Sequence, residues 1–87
     1  MEINSKFFAV ILATSFDNAV DQAKNNGNGV LIKVSGSTGM PNSNNNWMGL
    51  MWVNTSATWG YVMCMGLGTS LYTRTLSNGT WGSWRTI

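Results

Sequence analysis

The side chains able to do chemistry are few, and their spacing points away from catalysis. There is no histidine and a single cysteine, Cys64. That excludes Ser-His-Asp and Cys-His arrangements, and it leaves a structural zinc site short of its nitrogen and sulfur ligands. The three acidic residues are Glu2, Asp17 and Asp21. Asp17 and Asp21 are four apart, one turn of a helix, on its expected solvent face, whereas a glycosidase pair must flank a bond inside a cleft at about 5–9.5 Å. Cys64 lies in Tyr61-Val62-Met63-Cys64-Met65, between apolar neighbours, and reads as a small buried hydrophobe rather than a nucleophile. The expectation is a protein that is not an enzyme and uses no cofactor and no metal.

Recognition chemistry rests on aromatic and amide side chains. The chain has five tryptophans and six methionines, and Gly, Asn, Ser and Thr fill 39 of its 87 positions. Neutral, hydroxyl-rich surfaces with many aromatics are common in extracellular β-proteins and virion components. Sugar rings stack their C–H faces on indoles while amides and guanidinium groups read the hydroxyls. The candidate glycan ligands are therefore Trp47 with Asn45 and Asn46 just before it, Trp59, Arg74, Trp81 and Trp84. Each has a structural alternative. Trp47 can anchor its loop, Trp81 and Trp84 can clamp the last hairpin, and Arg74 can stack on a neighbouring ring instead of gripping a carboxylate. In regular strands Trp47 and Trp52 face opposite sides, as do Trp81 and Trp84. Five tryptophans in a chain this small cannot all be core, so some face an interface or a ligand. Met48, Met51, Met63 and Met65 fit a protein–protein interface better than a sugar.

Charge excludes another class. Lys6, Lys24, Lys33, Arg74 and Arg85 against three acids give a net +2, too weak and dispersed to track phosphates. Nucleic acid is not an expected partner.

These residues need elements to hold them. Phe16, Ala19, Val20 and Ala23 form a helical stripe. Thr14 or Ser15 can cap its start, Asp17 lies in the first turn, Lys24 in the last, and Gly27 or Gly29 can end it. From residue 30 the pattern is β. Val30, Ile32 and Val34 alternate with Leu31, Lys33 and Ser35. A polar loop over 36–46 follows, then strands over Trp47 to Val53, Trp59 to Met65, Leu71 to Leu76 and Thr80 to Ile87. Asn78-Gly79 is a strong hairpin turn signal. The expected fold is α+β and β-dominant: one N-terminal helix followed by an antiparallel meander of about five strands.

The run Phe7 to Ala13, with Lys6 before it, has a superficial likeness to a signal peptide. Seven apolar residues are too few to span a bilayer, so no membrane insertion is expected. The run is better read as a buried strand or a segment that meets copies of itself. Residues 1–14 are thus an apolar N-terminal segment and 15–87 one β-rich domain. An 87-residue chain with no disulfide or metal staple has self-association as its ordinary source of extra stability.

The ending carries a resemblance. Leu71-Tyr72-Thr73-Arg74-Thr75 followed by Asn78-Gly79-Thr80-Trp81-Gly82-Ser83-Trp84-Arg85-Thr86-Ile87 resembles the C-terminal signature of pyocin-type knob modules of phage tail fibres, with Arg74, Gly79, Trp81 and Trp84 at the matching positions. The upstream order of helix, glycine-led strand, polar loop and strands also fits over residues 15–87. The resemblance implies a knob domain in a homotrimeric tail fibre or receptor-binding protein of a phage virion. It would be extracellular, bound to other fibre proteins, and engaged in attachment to the bacterial surface through polysaccharide. Residues 1–14 would link to a shaft or meet the other two chains. Two further readings remain open: a purely structural virion protein such as a fibre joint or capsid decoration, and a monomeric carbohydrate-binding module.

Overall fold

Strand β1, Ala9–Ala13, begins the described part of the computed structural model, which comprises residues 9–26 and 29–87. Helix α1, Phe16–Ala23, follows. Ser15 is its N-cap: extended backbone puts the hydroxyl where it accepts the Asn18 N–H at 3.1 Å, satisfying a donor the helix cannot. The stripe buries Phe16, Ala19 and Ala23, while Asp17 and Asp21 face solvent. The helix closes at Lys24, whose N–H donates to the Val20 carbonyl. Gly29 therefore lies past its end, and Gly27 lies outside the described residues.

The remaining strands are β2 (Val30–Ser35), β3 (Asn46–Val53), β4 (Trp59–Gly66), β5 (Leu71–Ser77), β6 (Thr80–Trp81) and β7 (Arg85–Thr86). The sheet order is β1-β2-β3-β4-β5-β6, with β7 also on β5. The fold is β-dominant, with one short helix and a mostly antiparallel sheet, as the alternation and turn residues predict. Asn78 and Gly79 both take positive φ, 52° and 88°. That matches the right-handed twist of the strands they join.

Two features depart from expectation. The apolar run is a strand, one of its two readings, so β1 precedes the helix; the departure from an all-antiparallel meander is that it pairs with β2 in parallel, from Ala9↔Val30 to Ala13↔Val34. The described part of the N-terminal segment is therefore built into the sheet rather than appended to it; Phe7 and Phe8 lie outside the described residues. The last strand is also broken. Leu76 faces Trp81 whereas Thr73 faces Arg85, three steps along β5 against four along its partner. One extra residue is a bulge, and it falls at Gly82-Ser83-Trp84 between β6 and β7.

Among the described residues, one face of the sheet is covered and the other is not. Trp47, Met51, Val53, Val30, Ile32, Val34, Val62 and Cys64 pack on the covered face against Phe16, Ala19 and Ala23 of the helix and Met40 of the 36–46 loop. Asn44 closes that loop: its amide donates to the Leu67 carbonyl at 2.8 Å, and its side-chain oxygen accepts the Asn46 N–H. Among the described residues no helix is long and apolar enough to cross a membrane.

Candidate functional site: an aromatic clamp and an open sheet face

On the covered face Arg74 lies at the centre of an aromatic cluster. Its guanidinium carbon is 4.8 Å from the Phe16 ring centroid, 5.1 Å from Trp84 and 5.5 Å from Trp81. Phe16 meets Trp81 and Trp84 edge to face at 5.0 and 5.4 Å, the arrangement ring quadrupoles favour. The Arg74 Nε–H donates to the Gly82 carbonyl at 2.8 Å. The Trp84 indole N–H donates to the Gly39 carbonyl at 2.9 Å. The cluster ties together the helix start, the 36–46 loop, β5 and the chain's ending. Partial burial draws the Arg74 pKa below the usual guanidinium value, and Asp17 opposes that shift.

The bulge makes this possible. In a regular strand Trp81 and Trp84 would face opposite sides; the extra residue rotates Trp84 back, and both rings reach Phe16. Gly39, with φ +79°, passes so near Phe16 that an added Cβ would sit 2.7 Å from the Phe16 Cβ. No larger residue fits between the loop and the ring.

Trp47 is fully buried. Its indole N–H donates to the Asn44 carbonyl at 2.6 Å and its ring meets Tyr72 edge to face. With no ring face in water it cannot stack a sugar, and its role as a glycan ligand is corrected to that of a loop anchor. Asn45 and Asn46 are exposed. The Asn45 carbonyl accepts the Gly36 N–H, while Asn46 begins β3. Trp59 is 52% exposed on the opposite face from Arg74, Trp81 and Trp84. The seven candidate residues thus divide among core, loop and two faces, and the structure does not assemble them into one site.

What the sheet does assemble is a continuous apolar surface on its uncovered side. Cross-strand register sets Leu31 beside Leu50 and Leu50 beside Met63, Lys33 beside Met48 and Met48 beside Met65, and Trp52 beside Tyr61. Val10 and Leu12 extend it onto β1 and Leu67 rims it. Trp52 is half-buried, and the other large apolar residues run from 39% exposed at Leu50 and Met63 to 72% at Leu67. Around Leu12, Met48 and Met65 the surface dips into a concavity of about 900 Å³. A smaller one of about 260 Å³ lies against Trp52, Tyr61 and Thr73. Trp52 and Tyr61 are stacked at 6.2 Å and 28°. Met48, Met63 and Met65 lie on this face as an interface requires, but Met51 points to the core at 2% exposure, because odd and even positions of β3 face opposite ways. Val10 and Leu12 come from the apolar run that the sequence offers as a self-meeting segment, whereas Leu31, Leu50, Trp52, Tyr61 and Leu67 join the face with no such mark in the sequence. The available signal was that β1 and β3 are apolar at both parities.

The nucleophile and metal inventory is equally plain. Burial pushes the Cys64 thiol up to about 11, far from the thiolate a nucleophile needs at neutral pH. No group of three or more His, Cys, Asp or Glu among the described residues could hold a metal ion. No protein-family model, curated protein or solved structure matches the chain.

Proposed function

We propose that this chain is a non-enzymatic knob-like module of a phage tail fibre or receptor-binding protein. In this reading it works at the virion as a homotrimer beside other fibre proteins, and takes part in attachment to bacterial surface polysaccharide. The observation that carries the reading is the clamp. Arg74, Trp81 and Trp84, which bear the resemblance to knob modules, converge on Phe16 and lock the ending onto the helix. A recurring Arg and Trp pair then has a mechanical purpose in the fold rather than a role in gripping a ligand. Glycan contact falls instead to Trp59, the exposed tryptophan of the candidate set, beside Trp52 and Tyr61 on the open face.

The test is binding of the labelled protein to a panel of purified bacterial surface polysaccharides, with Trp59→Ala in parallel. Binding that Trp59→Ala abolishes, with an unchanged far-UV spectrum, supports attachment through this face. If no polysaccharide binds, a purely structural virion element replaces it. The open apolar face favours that second reading, since such a surface serves assembly whether or not a glycan is also bound.

A further inference from the structure

We infer that the open face of β1–β3 with the Met63–Met65 end of β4 is the surface through which copies of this chain dock on one another, leaving the Trp59 end of β4 clear. The inference rests on the proposal that the module works in several copies, and names the surface they use.

Three observations carry it. The first is area. With exposures of 39–72% on its most open apolar residues, each taken at roughly the 150–250 Å² that an aromatic side chain buries, the face leaves on the order of 1,000 Å² open. A soluble monomer's largest apolar patch is about 300–600 Å², and a stable interface takes about 800 Å² from each partner. The second is strand composition. β1 (AVILA) and most of β3 (NWMGLMWV) are apolar at both parities, the pattern of strands buried on both faces, yet the helix and loop cover only one. The third is charge. Among the described residues the face carries Lys33 and, at its far margin, Arg85, while Asp17 and Asp21 lie on the helix across the sheet.

That charge pattern selects the occupant. An anionic membrane surface or a nucleic acid calls for a cluster of cations, and two separated ones do not make it. An acidic partner would find one lysine in an aliphatic field. A second copy offers the same aliphatic and methionine surface, with a single lysine on it. Lys33 does not obstruct it: it lies between Leu12 and Met48, two pairs from the Ser35–Asn46 end of the β2–β3 ladder. Its ammonium reaches water there while its methylenes stay on the patch.

The experiment is absolute mass by light scattering on a sizing column at micromolar concentration, for the unaltered chain and for Met48→Glu, Leu50→Glu and Ser43→Glu. Ser43 is exposed in the loop of the covered side. The expected result is a multiple of the 9.5 kDa chain, a mass near three chains if the fibre reading holds. Met48→Glu and Leu50→Glu should each weaken association at least about 30-fold, as loss of a central interface side chain does, with unchanged far-UV spectra; Ser43→Glu should change nothing.

Leu50→Cys gives an independent check, because Cys64 is buried and the new thiol is the only accessible one. It should form a disulfide-linked pair on mild oxidation, and Ser43→Cys should not. A monomer at all concentrations overturns the inference. An oligomer that survives both glutamates overturns the choice of face while leaving the multi-copy reading intact. An oligomer lost to either glutamate but not to Ser43→Glu supports both.

Discussion

On the covered side of the sheet Trp47, Met51 and Val62 are at most 2% exposed; on the other side Met48, Tyr61 and Met65 are 50–64% exposed. The same strands supply both sets, from alternate positions, and the residue types scarcely differ. The difference lies in what packs on them. The covered face has a capped helix, a loop held by Asn44 and a clamped ending, and its polar atoms are partnered: no buried side-chain nitrogen or oxygen among the described residues lacks a hydrogen bond. The open face has the apolar side chains but, among the described residues, no second layer. An apolar residue stabilises the folded chain only where something excludes water from it, so one set of side chains holds the domain together and the other is available to hold domains to each other.

The largest effect that separates the faces is Trp47→Ala. Removing a fully buried indole should cost about 3–5 kcal/mol, much of the roughly 5–15 kcal/mol that holds a small domain folded. Urea unfolding followed by far-UV circular dichroism measures it. Trp59→Ala, made in parallel, should stay within about 0.5 kcal/mol in dilute solution. Comparable losses at both positions would break the distinction between the faces.

Arg74 comes next. Arg74→Ala removes a charged hydrogen bond to Gly82 and the cation over three rings, about 2 kcal/mol together. Arg74→Lys keeps the charge but not the planar group or the Nε donor, so it should fall between the two. Near-UV circular dichroism should report looser Trp81 and Trp84 packing in both variants. If lysine matches arginine, charge alone explains the clamp and its stacked geometry is incidental.

The covered face should also weaken in alkali. The Cys64 thiol stands near 11 in the folded chain against an ordinary 9.0. The folded state therefore keeps its proton at pH values where the unfolded state gives it up. The stability is fully present below pH 9 and falls between pH 9 and 11. Urea midpoints across that range should decline, and Cys64→Ala should remove this part of the decline. Thiol labelling at neutral pH should be slow until the chain is unfolded.

Most of the covered face could be read from the chain. Phe16, Ala19 and Ala23 at helical spacing, Val30, Ile32 and Val34 at strand spacing, and Asn78-Gly79 between strands each follow from local geometry. Three features could not. The parallel pairing of β1 with β2 depends on where a neighbouring strand lies, which apolar content alone does not encode. The placement of Trp81 and Trp84 on one face depends on a one-residue bulge, and parity arguments presume there is none. The burial of Trp47 hinges on which parity of an almost wholly apolar strand meets the helix. That same ambiguity hid the open face. With both parities of β3 apolar, the sequence assigns neither to solvent, and Met51 falls in with Met48 as an interface residue.

The smallest effect in dilute solution sharpens the comparison furthest. Met63→Lys places a charge on the open face, opposite Leu50 and Thr73, where the isolated chain leaves the side chain partly in water. Its folding cost in dilute solution should be within about 0.5 kcal/mol. At higher concentration the expectation changes, because association stabilises whatever state it binds. With partner about a hundredfold above the dissociation constant, docking adds about 2.7 kcal/mol. The urea midpoint of the unaltered chain should therefore climb with protein concentration, while that of Met63→Lys stays flat and the two converge on dilution. Trp47→Ala should shift the midpoint at every concentration. If the unaltered chain's midpoint is also flat, the open face makes no contact that matters to folding, and its apolar character must answer to some partner other than the chain itself.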